Sequence, residues 1–301
     1  MDFLRPLTGV RPGTSAAGIS KLKQYLNAIG HMSGKSQFAD NDNFDKELEQ
    51  AVKSYQKFFS LPVTGFLDPK TLAQLQKPRC GVPDNPTAAG SRIPAVSYFS
   101  FFPGQPRWSP TKKILWYSFP AGTRQDAYTA ISAATQEWSH EISFRVREHG
   151  DGASFDGPGG IVAHAFAPPD GRLHFDGDEQ WADAAQAGKM DLETVGLHEL
   201  GHVLGLGHST DKDAVMWPYI DAGVRKHLNK DDIDGIKRWT VESNKAAAAH
   251  SSFSPATAAV AAESPPSLSS SSSTAPAAGG SPPLPSSYSS FSSGSNGTGG
   301  S

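Results

Sequence analysis

The stretch His198-Glu199-Leu200-Gly201-His202-Val203-Leu204-Gly205-Leu206-Gly207-His208 restricts this chain more than any other. On an α-helix, residues four apart lie one above the other, so His198 and His202 project to the same side. Glu199 is rotated by one residue, which sets its carboxylate beside that pair rather than on it. Gly205 can take the left-handed conformation that ends a helix, letting the chain turn back and bring in His208. Three nitrogen ligands leave the fourth tetrahedral position of a zinc ion open, as a catalytic rather than a structural site requires. Zinc lowers the pKa of its water to about 7 and polarises a carbonyl. Glu199 is then the group to take the proton and pass it to the leaving amine. Two histidines four apart are often only a solvated helix face; Glu199, Gly205 and His208 at these spacings argue against that here.

Met216 follows in Asp213-Ala214-Val215-Met216-Trp217-Pro218. The whole pattern, HExxHxxGxxH with a downstream methionine turn, is the metzincin signature. Met216 would lie beneath the imidazoles as an apolar floor without ligating.

Composition narrows the partners. Of 301 residues 27 are basic and 30 acidic, for a net charge of −3, so no basic excess exists to neutralise a nucleic acid. The one cysteine, Cys80, cannot close a disulfide within the chain. No stretch approaches the ~20 apolar residues of a membrane span, and Met1 to Thr14 has no apolar run of signal-peptide length.

Apolar residues recur at helical spacing in three places: Ile19, Leu22, Tyr25, Leu26 and Ile29; Leu48, Val52, Tyr55, Phe58 and Phe59; and Leu72 and Leu75 after the cap Asp68-Pro69. They predict a small three-helix domain. Residues 78 to 110 are rich in proline and read as an extended segment. Beyond it, strands are expected over Lys113 to Tyr117, Ile142 to Val146, Ile161 to Phe166 and Leu173 to Phe175. Helices are expected along Tyr128 to Trp138, Met190 to Leu204 and Asp231 to Trp239. After Lys245 the only acid is Glu263, lysine and arginine are absent, and Ser, Pro, Ala and Gly dominate. A segment of that kind cannot bury enough apolar surface to order itself.

Several stretches together resemble the matrix metalloproteinases, or matrixins. They are Pro78-Arg79-Cys80-Gly81-Val82-Pro83-Asp84, the zinc helix with Ser209 after it, Tyr98 to Trp108, and Thr64-Gly65 with Leu67-Asp68. Without a hemopexin-like propeller after residue 240, the chain resembles plant-type members. The resemblance implies an α+β fold, in which a three-helix prodomain precedes a protease domain with a mixed, twisted five-stranded sheet and three helices. The expected boundaries are an extension over 1–17, a peptidoglycan-binding-like prodomain over 18–77, and a switch linker over 78–97. The catalytic domain is expected over 98–242 and the tail over 243–301. A thiolate suits zinc well. In the resemblance Cys80 fills the open zinc position and keeps the enzyme latent, Arg79 pairs with Asp84, and Asp231 holds the N-terminal ammonium freed near Tyr98.

His149, Asp151, His164 and His174 make a closed donor set, which the resemblance assigns to a second, structural zinc. Asp156, Asp176 and Glu179, with backbone carbonyls of Gly157, Gly159 and Ile161, resemble the family's calcium loop, so at least one calcium is expected. An extended protein or peptide substrate would add to an edge strand containing Val162 and Ala163. Its pocket would be bounded by His198, Thr194, Val195 and the wall Pro218-Tyr219-Ile220, and would prefer leucine-like side chains. An activating protease, a monomeric state and an extracellular or cell-surface location follow from the resemblance alone. The competing function is a catalytically silent protein that binds matrix or cell-wall components through the helical domain. Glu199 discriminates, since a binding protein has no use for an unliganded carboxylate beside an open zinc.

Overall fold

The computed structural model describes residues 2–32, 41–84, 98–109, 115, 118–119, 122–139 and 155–251, with side chains as far as 240. The chain divides into two compact units, Met1–Ser254 and Pro255–Ser301. The second lies outside the described residues. The strand expected over 142–146, all of the one expected over 113–117 but residue 115, and the part of the expected 243–301 tail from 252 onward also lie outside them, whereas 243–251 continue a helix. No helix among the described residues is long and apolar enough to cross a membrane.

The three periodic runs form helices α1 (Ile19–Ala28), α2 (Lys46–Phe58) and α3 (Pro69–Leu75). Two are started by aspartates that satisfy an orphan amide: Asp45 accepts from Leu48 N–H and Asp68 from Thr71 N–H, both at 2.9 Å. Their apolar faces meet in one core containing Leu22, Leu26, Leu48, Val52, Tyr55, Leu72 and Leu75. A 3₁₀ turn, Asp2–Leu7, adds Leu4 and Leu7 to that core, both fully buried. Two members of the same core come from far along the chain: Trp217 and Tyr219.

The proline-rich segment, expected to be extended, begins with a short strand. β1 (Arg79–Cys80) runs parallel to β2 (Ile161–Ala165), which pairs antiparallel with β3 (Leu173–Phe175). A separate parallel pair joins β4 (Trp181–Ala182) to β5 (Met190–Asp191). Helix α4 (Gln125–Ser139) packs on α5 (Leu192–Leu204), with Trp138 Nε1 donating to Leu197 O at 2.8 Å. α5 therefore starts two residues later than its periodicity suggests, because Met190 and Asp191 pair with β4. Asp191 then caps the helix, accepting from Thr194 N–H at 2.8 Å. The last helix, α6, extends over Lys230–Ser251, beyond the expected Trp239. Helices with a small mixed sheet make the described protein α+β.

Candidate metal centre and its latch

α5 ends where its sequence says it should. Gly205 is the C-cap at φ 113°, and a Cβ there would strike the Trp239 indole, so only glycine fits. The turn that follows returns His208 to the helix. Sγ of Cys80 and one ring nitrogen each of His198, His202 and His208 lie within 4.8 Å of one another, and all four residues are buried. His202 Nε2 is 3.1 Å from His198 Nε2 and 3.5 Å from Cys80 Sγ.

The rings are aimed by their other nitrogens. Nδ1 of His198 donates to Val215 O at 2.7 Å, Nδ1 of His202 to Leu206 O at 2.8 Å, and Nδ1 of His208 to Asp84 at 2.7 Å. Each Nε2 lone pair is thereby left for the centre, the arrangement that carbonyls and carboxylates enforce around a metal. His208 Nε2 is buried with no hydrogen-bond partner among the described residues. Burial, the leading cause, holds all three imidazoles below the ordinary histidine range and pushes the Cys80 thiol well up. Neutral imidazoles and a thiol converging on one point, with an orphaned nitrogen among them, are a donor set that fits zinc.

Both carboxylate oxygens of Glu199 are buried without a regular hydrogen bond among the described residues, and the Cys80 thiol is the neighbouring group that interacts with them. Burial raises its pKa to about 8. Met216 lies under α5, where a Cβ on Gly201 would collide with its sulfur. The methionine turn is itself held by Asp232, whose carboxylate accepts from Val215 N–H at 2.9 Å and Met216 N–H at 3.0 Å.

The Cys80 strand is gripped on both sides. Toward β2, Arg79 N–H donates to Gly160 O at 2.7 Å and Gly81 N–H to Ala163 O at 2.8 Å. Toward the wall, Cys80 N–H donates to Pro218 O at 2.9 Å, and Pro78 O accepts from Ile220 N–H at 3.1 Å. Arg79 and Asp84 form a fully buried bidentate pair, with both bonds 2.9 Å long. Burial works against the Asp84 carboxylate, yet the Arg79 charge and the bonds from His208 and His31 hold it well below its usual range.

The expected substrate residues divide between two environments. Val162, Ala163, Val195 and Ile220 share one apolar cluster. Tyr219 turns instead into the helical domain, where its hydroxyl meets that of Tyr55 and its ring lies 4.9 Å from Phe59. The Thr194 hydroxyl donates to Asp191 at 2.7 Å and accepts from Lys226 N–H. Asp231 accepts from the Tyr98 amide at 3.0 Å and from Ser209 at 2.7 Å.

Of the second-zinc set, His149 and Asp151 lie outside the described residues. The other two meet across the β2–β3 pair, His164 Nε2 standing 2.9 Å from His174 Nδ1. Burial and then His174 lower the His164 pKa to about 4. In the candidate calcium loop, Gly157 and Gly159 have φ 82° and 73°. Asp156 accepts from Ile161 N–H at 3.0 Å, Glu179 accepts from Gly159 N–H, and Asp176 Oδ2 is buried without a partner among the described residues. Burial raises both Asp156 and Glu179, and neighbouring acids add to Glu179. One further group, Glu137, Glu193 and His227, brings ligand atoms together, but its carboxylates are engaged by Leu228 N–H, His227 and Arg225.

Sequence reasoning missed His31, Tyr55, Phe59 and Trp217 around the latch. Each reads as ordinary helix or loop apolar patterning, and His31 is 53 residues from the aspartate it contacts.

Comparison with known proteins agrees with this geometry. A family model described as Matrixin matches residues 117–239, and one described as Putative peptidoglycan binding domain matches residues 15–75. Metalloendoproteinase 1 of Glycine max is 41% identical over 259 residues, covering 77% of this chain and 84% of that protein. Metalloendoproteinase 5-MMP of Arabidopsis thaliana is 40% identical, covering 77% and 73%. Matrilysin of Homo sapiens is 36% identical, covering 74% and 87%. The chain belongs to the matrixin family of zinc-dependent metalloendopeptidases.

Proposed function

We propose that the protein is a latent endopeptidase in which Cys80 occupies the position that a water needs and Glu199 is the general base. The observation that carries this is the convergence of Cys80 Sγ with the three histidine nitrogens beside an unsatisfied, buried Glu199. His198, His202 and His208 would hold the catalytic zinc, which supplies Lewis acidity toward a water and the scissile carbonyl. Among the described residues only the Cys80 thiol stands close enough to engage Glu199, so removing that thiol would leave the carboxylate to accept the water's proton. The same group would then hand that proton to the leaving amine.

β1 indicates how a substrate binds. Its contacts use Gly160 O, Ala163 O, Pro218 O and Ile220 N–H, groups that an extended peptide would meet once the strand has left. Val195, Ile220 and Val162 would supply the apolar side-chain pocket, with Thr194 and Pro218 at its edge and Tyr219 released from the prodomain. Leucine-like residues after the scissile bond are expected to fit it. A second, structural zinc at His149, Asp151, His164 and His174 and at least one calcium at the 156–161 loop with Asp176 and Glu179 complete the account. Domain boundaries at 18–77, 78–97 and 98–242 follow from the same reading. An extracellular location suits the family and would give access to matrix or wall proteins and to an activating protease.

Replacing Glu199 by Ala tests the mechanism. After treatment with a thiol-modifying reagent that activates the wild type, the variant should cleave no peptide while bound zinc stays stoichiometric. Retained cleavage refutes the general-base role, and a protein that never cleaves would leave binding as its work.

A further inference from the structure

Four donors converge on the Asp84 carboxylate, and one of them, His31, comes from the helical domain. Nε2 of His31, in the turn after α1, lies 2.9 Å from Asp84 Oδ2, and both side chains are fully buried. The same oxygen receives Arg79 Nη1, while the other carboxylate oxygen receives Arg79 Nη2 and His208 Nδ1. The carboxylate can only accept, so Nε2 carries the proton, and Nδ1 accepts from the Ser54 hydroxyl at 3.1 Å. One neutral tautomer satisfies both bonds.

The imidazole is also held in place by its surroundings. It meets Tyr55 and Phe58 edge-on, with ring centroids 5.3 and 5.7 Å away, and Phe59 at 6.1 Å. Its backbone is pinned by His31 N–H to Leu26 O at 2.8 Å. The end of the switch is tied to the same turn, because Asp84 N–H donates to Ile29 O at 2.8 Å. Helices α1 and α2 thus position one donor, and that donor acts on the residue that orients both Arg79 and His208.

We propose that His31 is the positioning residue through which the folded helical prodomain keeps the cysteine switch closed. The relay runs from His31 through Asp84 to Arg79, which carries Cys80 on its own strand, and to the third imidazole. Damage to the helical domain, including a protease cut within it, withdraws His31 and loosens the latch before the switch segment itself is touched. This rests on the latency reading above, and the test separates the two.

The experiment compares full-length zymogens of wild type, Cys80→Ser, His31→Phe, His31→Gln and Ser54→Ala. Cleavage of a fluorogenic peptide is followed during titration with an organomercurial thiol reagent. Cys80→Ser should cleave without reagent; if it stays silent, the latency reading fails. His31→Phe keeps an aromatic ring but no donor, and should open at about tenfold lower reagent, as loss of a hydrogen bond to a charged group implies. His31→Gln restores an N–H near Nε2 and should stay within about threefold of wild type. Ser54→Ala, which leaves the ring in place but frees its tautomer, should shift in the same direction as His31→Phe. Once the prodomain is removed, all the His31 and Ser54 variants should share one kcat/KM. An active Cys80→Ser with unshifted His31→Phe and Ser54→Ala overturns the relay, as does His31→Gln opening as easily as His31→Phe.

Discussion

Asp84→Asn is the most informative single change, because it keeps the shape of the side chain and removes its charge. In the folded chain this carboxylate receives bonds of 2.9 Å from Arg79 Nη1 and Nη2, 2.9 Å from His31 and 2.7 Å from His208. None of these side chains reaches solvent. An amide presents one oxygen and one NH₂, so half of the donors would face a donor. Arg79 would also be left as a buried charge without a counterion, an arrangement that costs about 3–5 kcal/mol. Spread over latency, that is roughly two to three and a half powers of ten in the closed-to-open ratio.

Two assays read it: the urea midpoint of the zymogen, and peptide cleavage without thiol reagent. The variant should unfold at lower urea and show spontaneous activity where the wild type is silent. An Asp84→Asn protein that stays silent, with stability within about 0.5 kcal/mol of wild type, refutes the reasoning.

Three other outcomes follow from the same geometry. Gly201→Ala places a methyl against the Met216 sulfur and 3.1 Å from Trp138, so stability should fall by the ~1–3 kcal/mol of an overpacked core; an unchanged denaturant midpoint contradicts that. Glu199 is raised from 4.5 to about 8 in the fold, so between those values the folded, metal-free chain holds a proton that the unfolded chain has released. Chelated zymogen should therefore lose stability from pH 5 to pH 8 relative to Glu199→Gln, and a gain would contradict the assignment. Calcium at about a hundred times its Kd should raise the melting temperature by roughly 5–10 °C, and Asp156→Asn or Glu179→Gln should abolish the rise.

The zinc helix was legible because its information is local. Helical spacing alone aligns His198 with His202, and Gly205 was readable as the stop because few other residues tolerate φ 113°. The helices of the prodomain were equally plain, their periodic residues forming one core. What escaped depends on pairing across the chain. Met190 and Asp191 continue the helical pattern but are taken by β4, a tertiary contact that overrides propensity. Leu4 and Leu7 look like an unstructured extension until the three-helix core supplies a place for them. Tyr219 reads as pocket wall, yet it packs into the helical domain, where its hydroxyl meets that of Tyr55 and its ring lies against Phe59. His31 has no local signature, since a histidine after an amphipathic helix gains a role only from a carboxylate 53 residues away.

The central claim is that one thiol silences a zinc-dependent active site. Zinc content and peptide cleavage of the intact chain, measured before and after a thiol-modifying reagent, test it most directly. The account predicts stoichiometric zinc in both samples, no cleavage before treatment and cleavage after it. Full activity of the untreated chain, or silence after modification with zinc still bound, would contradict it.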